Sequence, residues 1–191
     1  PATVTIDGTS ILISEMTLDS ANSYTIAAAN GGSLIFAGAG NGQLTVDTNN
    51  GNGAHNITAP IILNRNVTIT QNSSQALTIS DPISQDGLNR SLTKAGSGTL
   101  LLSGSNTFGG DVVIDGGTLA IGRDTAPGSG TLKPASNTAI RGQGGARVLA
   151  NNIRLANSMV FEGDPLSFTN TAIQLPGNRK IVVNNITSFA G

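Results

Sequence analysis

Apolar residues two positions apart, cut off by turn residues, recur along all 191 positions. The pairs are Val4/Ile6, Leu34/Phe36, Leu44/Val46, Ile61/Leu63, Val67/Ile69, Leu77/Ile79, Leu100/Leu102, Val112/Ile114, Leu119/Ile121, Ile153/Leu155, Met159/Phe161, Leu166/Phe168 and Ile181/Val183. Positions i and i+2 project from one face of a strand, so each pair marks a short strand with one apolar side. No stretch keeps a convincing helical period. Ile153–Glu162 is the nearest to one, and its two alternating pairs fit strands better.

Between the pairs lie Asn30-Gly31, Asn41-Gly42, Asn50-Gly51, Asn52-Gly53, Gly116-Gly117 and Gly144-Gly145. Asn and Gly tolerate positive φ and let the chain turn sharply. Successive units start close together, as from Leu100 to Val112 to Leu119, or from Ile153 to Met159 to Leu166. Hairpin sheets favour longer strands, about five or six residues. Very short strands at this spacing fit a coil in which each strand pairs with those one turn above and below. The expected fold is therefore all-β, a right-handed parallel β-helix (β-solenoid) with Gly/Asn-rich corners, formed by residues 1–191 as one segment. Pro1–Ile6 reads as the entry to a strand and not as a signal peptide.

Composition then makes sense. Gly (25), Thr (21), Asn (20) and Ser (18) supply corners and outer faces, while a 38% apolar fraction supplies a core. That fraction and its register argue against a flexible linker. The absence of Cys excludes a disulfide scaffold, a zinc ribbon and thiol catalysis. A net charge of −1 gives no basic footprint, so no nucleic-acid partner is expected. No apolar run has the length of a spanning helix, so no membrane insertion by this segment is expected.

A longer echo is also visible. Ile61-x-Leu63 with Val67-x-Ile69 resembles Ile153-x-Leu155 with Met159-x-Phe161, and Leu77-x-Ile79 with Ile83 resembles Leu166-x-Phe168 with Ile173. It implies a degenerate module repeated at about 56–86 and 151–191.

The most distinctive segment runs from Leu92 to Leu119, LTKAGSGTLLLSGSNTFGGDVVIDGGTL. It resembles the autotransporter-associated β-strand repeat, also called the passenger-associated transport repeat. Lys94, Gly96, Gly98, Thr99, Leu100, Leu102, Gly104, Asn106, Thr107, Phe108, Gly110, Gly117, Thr118 and Leu119 fall on the family pattern, and the best-defined repeat spans 92–121. Asp111 replaces a Gly that many copies carry. The resemblance implies a structural segment of a type V secreted passenger, an extracellular β-helix of Gram-negative-type bacteria. Such repeats are associated with passage and folding of the passenger and not with catalysis. The partners implied are neighbouring solenoid repeats of the same longer chain. End-to-end self-association and a cell-surface or glycan ligand are the adhesin or filament alternative.

Candidate chemistry is sparse, and no catalytic, cofactor or metal site is expected. His55, the single histidine, lies in Gly53-Ala54-His55-Asn56 and reads as a solvated loop residue. Asp111 and Asp115 straddle Val112–Ile114 and form the best acid pair that a carbohydrate-active β-helix enzyme would need, but they read as turn-flanking residues. Gly38–Gly42 and Gly122–Gly130 lack the Lys-Ser/Thr of a phosphate loop. The Gly-Gly pairs do not continue into a calcium-binding repeat. Asn-x-Ser/Thr triplets at Asn56, Asn66, Asn72, Asn89 and Asn185 are what the composition yields by chance. Thr3/Thr5 and Thr68/Thr70 read as outward strand positions.

Overall fold

Most apolar pairs turn inward in strands of two to six residues, the pairs Val4/Ile6 and Ile181/Val183 at the two ends being partly exposed, and the strands wind as a three-faced coil. The computed structural model describes residues 1–170 and 173–190. The expected module 151–191 therefore includes three positions, 171, 172 and 191, outside the described residues. Among the described residues there is no helix, and the named strands pair only in parallel. The coil makes about eight turns.

The first face carries nine strands: Ala2–Asp7, Tyr24–Ala29, Asn56–Thr58, Leu77–Ile79, Thr99–Leu102, Thr118–Ile121, Thr138–Gly142, Met159–Gly163 and Ile181–Val183. The third face carries eight: Glu15–Leu18, Gly42–Val46, Val67–Gln71, Leu92–Ala95, Val112–Ile114, Leu132–Pro134, Ile153–Arg154 and Ile173–Gln174. The second face is in two parts. Ser10–Ile13, Ser33–Phe36, Ile61–Leu63 and Ile83–Gln85 form one sheet, and Arg147–Leu149, Leu166–Phe168 and Thr187–Phe189 form another. Between them, in residues 103–111 and 122–131, the chain passes twice without forming a strand.

Parallel in-register pairing places like on like. Leu77, Leu100, Leu119, Ile140 and Phe161 form one inward column on the first face. Ile79, Leu102 and Ile121 form the next. These residues belong to one continuous core, with Phe36, Phe108, Phe161 and Phe168 the largest apolar members. Most cross-turn side-chain bonds join residues 19 to 25 apart, which is the length of one turn. One turn is longer: bonds of 31-residue separation link Asp19–Tyr24 to Asn50–His55. The physical period is thus the single turn. In the longer echo, Ile61–Leu63 lies on the second face and Val67–Gln71 on the third, whereas Ile153–Arg154 lies on the third and Met159–Gly163 on the first. The echo is one of strand, corner and strand.

Corners follow the turn chemistry. Asn30 (φ 50°) and Gly31 (φ 84°) both take the left-handed conformation, and the Asn30 amide reaches Asp7 Oδ1 at 2.6 Å in the preceding turn. Outward positions carry Thr as expected. Thr68 stacks between Gln43 and Thr93, and Thr70 between Thr45 and Ala95.

Truncating an inward side chain should hurt far more than truncating its outward neighbour. Leu102 is fully buried while Leu101 is only partly so. Leu102→Ala is expected to cost about 2–5 kcal/mol and Leu101→Ala under about 1.5 kcal/mol, measured by denaturant unfolding.

Candidate functional site

The distinctive segment occupies the place where the second face is interrupted. Its strand Leu92–Ala95 is on the third face and Thr99–Leu102 on the first; the chain then crosses the second face without a strand and returns to the third as Val112–Ile114. Thr118–Ile121 stacks on Thr99–Leu102, so Thr99 faces Thr118 and Leu100 faces Leu119.

Lys94 holds the corner between third and first faces. It stands in an inward column between Ile69 and Ile114 and is fully buried. Its aliphatic stem lies in the core, and its ammonium reaches the corner carbonyls. Nζ donates to Ala95 O (2.7 Å), Gly96 O (2.8 Å) and Gly116 O (3.0 Å), so one ammonium joins two successive turns. Burial pushes its pKa down to about 8. The three carbonyls favour the charged form. The same corner requires Gly98, where a Cβ would stand 2.3 Å from Ser73 O. Gly96 and Gly117 complete this corner in adjacent turns, and Gly98 N donates to Gln71 O at 2.7 Å.

Asn106 bridges the missing strand. It is 5% exposed; Oδ1 accepts from Ile83 N (2.8 Å) in the turn below, and Nδ2 donates to Ala126 O (2.6 Å) in the turn above. One side chain thus supplies the bonds to both neighbours that a strand backbone supplies elsewhere. Thr107 N adds a bond to Ile83 O, and the Phe108 ring fills the core at full burial. Gly104 and Gly110 lie against the backbones of Asp81 and Arg90, with no space for a Cβ. At the upper rim Asn151, 3% exposed, donates to Gly128 O (3.1 Å) and Gly130 O (2.8 Å). Nothing in its composition-level context singled out Asn151. Its place before an apolar strand and after Leu149 was the available signal.

The two acids lie in different surroundings. Asp111 is ion-paired with Lys133 and accepts from Thr131 N. Burial would raise its pKa, but Lys133 and Thr131 outweigh burial and hold it below the usual range. Asp115 is exposed at the next corner. His55 corrects the sequence reading: it is 1% exposed, not solvated. Its Nδ1 accepts from Tyr24 N at 3.2 Å, its ring stacks on Tyr24 at 5.9 Å, and Nε2 has no partner. The longer turn folds the Asn50–Ala54 loop back beside it, and burial lowers its pKa. Among the described residues no three His, Cys, Asp or Glu gather as a metal site, and no helix is long and apolar enough to cross a membrane.

The interruption leaves a polar recess of about 520 Å³, lined by Ser105, Gly122, Arg123, Asp124, Thr125 and Arg147. It continues into a second recess of about 260 Å³ that shares Asp124 and Thr125.

The solenoid and the bridged gap define a structural β-solenoid segment like those of autotransporter passengers. Residues 92–121 match the Passenger-associated-transport-repeat family. A relative, the adhesin BmaC autotransporter of Brucella suis biovar 1 (strain 1330), is 39% identical over 103 residues, covering 41% of this chain. The chain spans only 3% of that relative's length. No solved structure matches. This class places the segment among proteins secreted or displayed on the surface of Gram-negative bacteria.

Lys94→Met keeps the stem and removes the ammonium. It is expected to destabilise the chain by about 1–3 kcal/mol at pH 7, because the three corner carbonyls lose their donor. The folded pKa of about 8 lies below the reference value of 10.5. The unfolded chain therefore holds the proton more tightly, and the Lys94 contribution to stability rises between about pH 8 and 10.5 and is flat below. Unfolding curves across pH 7–11 should show that rise in the wild type and a smaller one in Lys94→Met.

Proposed function

We propose that this chain is a structural, non-enzymatic stretch of a surface-displayed passenger, in which the turn at 92–121 is the repeat that aids folding after export. Residues 1–191 act as one solenoid segment, and the modules at about 56–86 and 151–191 are variations on its turns. The observation carrying this reading is the bridged gap. Lys94, Asn106 and Phe108, all on the family pattern, let a turn close on its neighbours without a full set of three strands. A solenoid grows by adding turns to an existing stack. A turn locked by its own side chains as it emerges suits folding from one end.

A binding role is the second reading. It is supported by the name of the adhesin relative and by the open polar recess beside the repeat. At the two ends, exposed members of the inward columns, Val4 and Ile11 at one and Val183 and Phe189 at the other, suit further turns stacked on the coil, from a longer chain or from a second copy. An enzymatic reading finds little support: Asp111 is committed to Lys133, and His55 is buried against Tyr24.

The test is export. The chain is fused ahead of an outer-membrane autotransporter barrel in a Gram-negative host, and surface exposure is read by antibody binding and protease shaving. Display is expected for the wild type and a clear loss for Gly98→Val, whose side chain meets Ser73 O, at equal total expression. Equal display of both proteins would contradict the role given to the repeat.

A further inference from the structure

We propose that the recess left by the missing second-face strands binds an acidic saccharide, a sugar chain carrying carboxylate or sulfate groups. The proposal deepens the binding reading above and rests on it.

The cations in the recess are open. Among the described residues, Arg90, Lys133 and Arg141 are neutralised by Asp86, Asp111 and Glu162. Among the described residues Arg123 and Arg147 form no ion pair. Each is instead anchored by backbone: Arg123 Nε donates to Ser103 O (3.2 Å), and Arg147 Nε and Nη2 donate to Gln143 O (3.2 and 2.8 Å). Those bonds set the position of each guanidinium and leave most of its five N–H donors free. A guanidinium fork matches the planar oxygens of a carboxylate and the tripod of a sulfate.

The rest of the lining suits sugar hydroxyls. Ser105 Oγ and Thr125 Oγ1 lie 3.2 Å apart in successive turns. Asp124 is oriented by Val148 N, which donates to Oδ1 at 3.2 Å, so Oδ2 remains an acceptor. Ser129 adds a hydroxyl in the second recess, whose surface is otherwise more apolar. The first recess alone falls in the range of ligand sites, about 300–1,000 Å³. It is shallow, and its lining is polar apart from glycine, which fits a hydrated polymer lying along the coil. A peptide would want large apolar or aromatic side chains to dock against, and the first recess has none. A nucleic acid would want a longer basic track than two arginines.

The site is also specific to this stretch. Where the second face is complete, strand backbones stack at about 4.8 Å and close the surface. Among the described residues only 103–111 and 122–131 leave it open, and both arginines stand at that opening.

The purified chain is titrated with heparin oligosaccharides (sulfate and carboxylate), oligogalacturonate (carboxylate alone) and dextran (neutral), by calorimetry at physiological salt. At least one acidic probe is expected to bind and dextran is not. Which acidic probe binds tells sulfate from carboxylate. R123Q/R147Q should lose at least about 30-fold in affinity. R154Q/K180Q removes the same charge from the other faces, where both residues are exposed, and should bind as wild type. Asp124→Asn should weaken binding about 10-fold by loss of a charged acceptor; simple charge attraction would make it tighter. Circular dichroism confirms that each variant is folded. Failure of both acidic probes, equal binding of dextran, equal losses in the two double variants, or tightening by Asp124→Asn would each overturn the proposal. Because the titration uses purified protein, its failure leaves the export assay untouched, and failure of export leaves the titration interpretable.

Discussion

Every turn of this coil depends on the backbone hydrogen bonds it makes with the turns above and below. A strand of three residues has almost no stability alone. Stacked in register, it satisfies its N–H and C=O groups on both sides and sets its two apolar side chains on those beneath. Leu77, Leu100, Leu119, Ile140 and Phe161 form such a column. Register and core are therefore one constraint: a slip of one residue would turn every inward pair out to water.

That constraint explains the polar residues inside. Where the second face has no strand, the exposed backbone of the neighbouring turns still needs partners. Asn106 and Asn151, both nearly fully buried, meet it with their amides, and Lys94 does so at a corner with its ammonium. Phe108 replaces the apolar volume of the absent strand. The repeat at 92–121 is thus a turn that closes the coil while leaving one face free, and the open recess with Arg123 and Arg147 follows from that economy of strands.

Much of this was legible beforehand because a three-residue strand leaves its mark in three residues. The pairs Leu77/Ile79, Leu100/Leu102 and Val112/Ile114 announce their inward faces, and Asn30-Gly31 announces its corner. What was hidden depends on which strand lies above which. The echo between Ile61–Ile69 and Ile153–Phe161 matched local pattern but not face, since any strand-corner-strand unit looks alike. His55 looked solvated because its loop is polar; only the longer turn folding back against Tyr24 buries it. Lys94 and Asn106 were marked by the family pattern, but their bridging of turns 20 or more residues apart has no local signature.

Because the chain has no Cys, pairs of spin labels can be placed cleanly on its outer rows. Thr78, Leu101 and Arg141 stand in one outward row, with the fully buried Ala120 between the last two. Dipolar coupling from Thr78 should be strongest to Leu101, one turn away, and should fall stepwise to Arg141, three turns away, each turn adding about 4.8 Å of backbone separation. Thr93 is nearer to Thr78 in sequence than Leu101 but lies on the third face, and should couple more weakly than Leu101. Stronger coupling of Thr78 to Thr93 than to Leu101, or distances without a stepwise order, would contradict the stacked parallel coil.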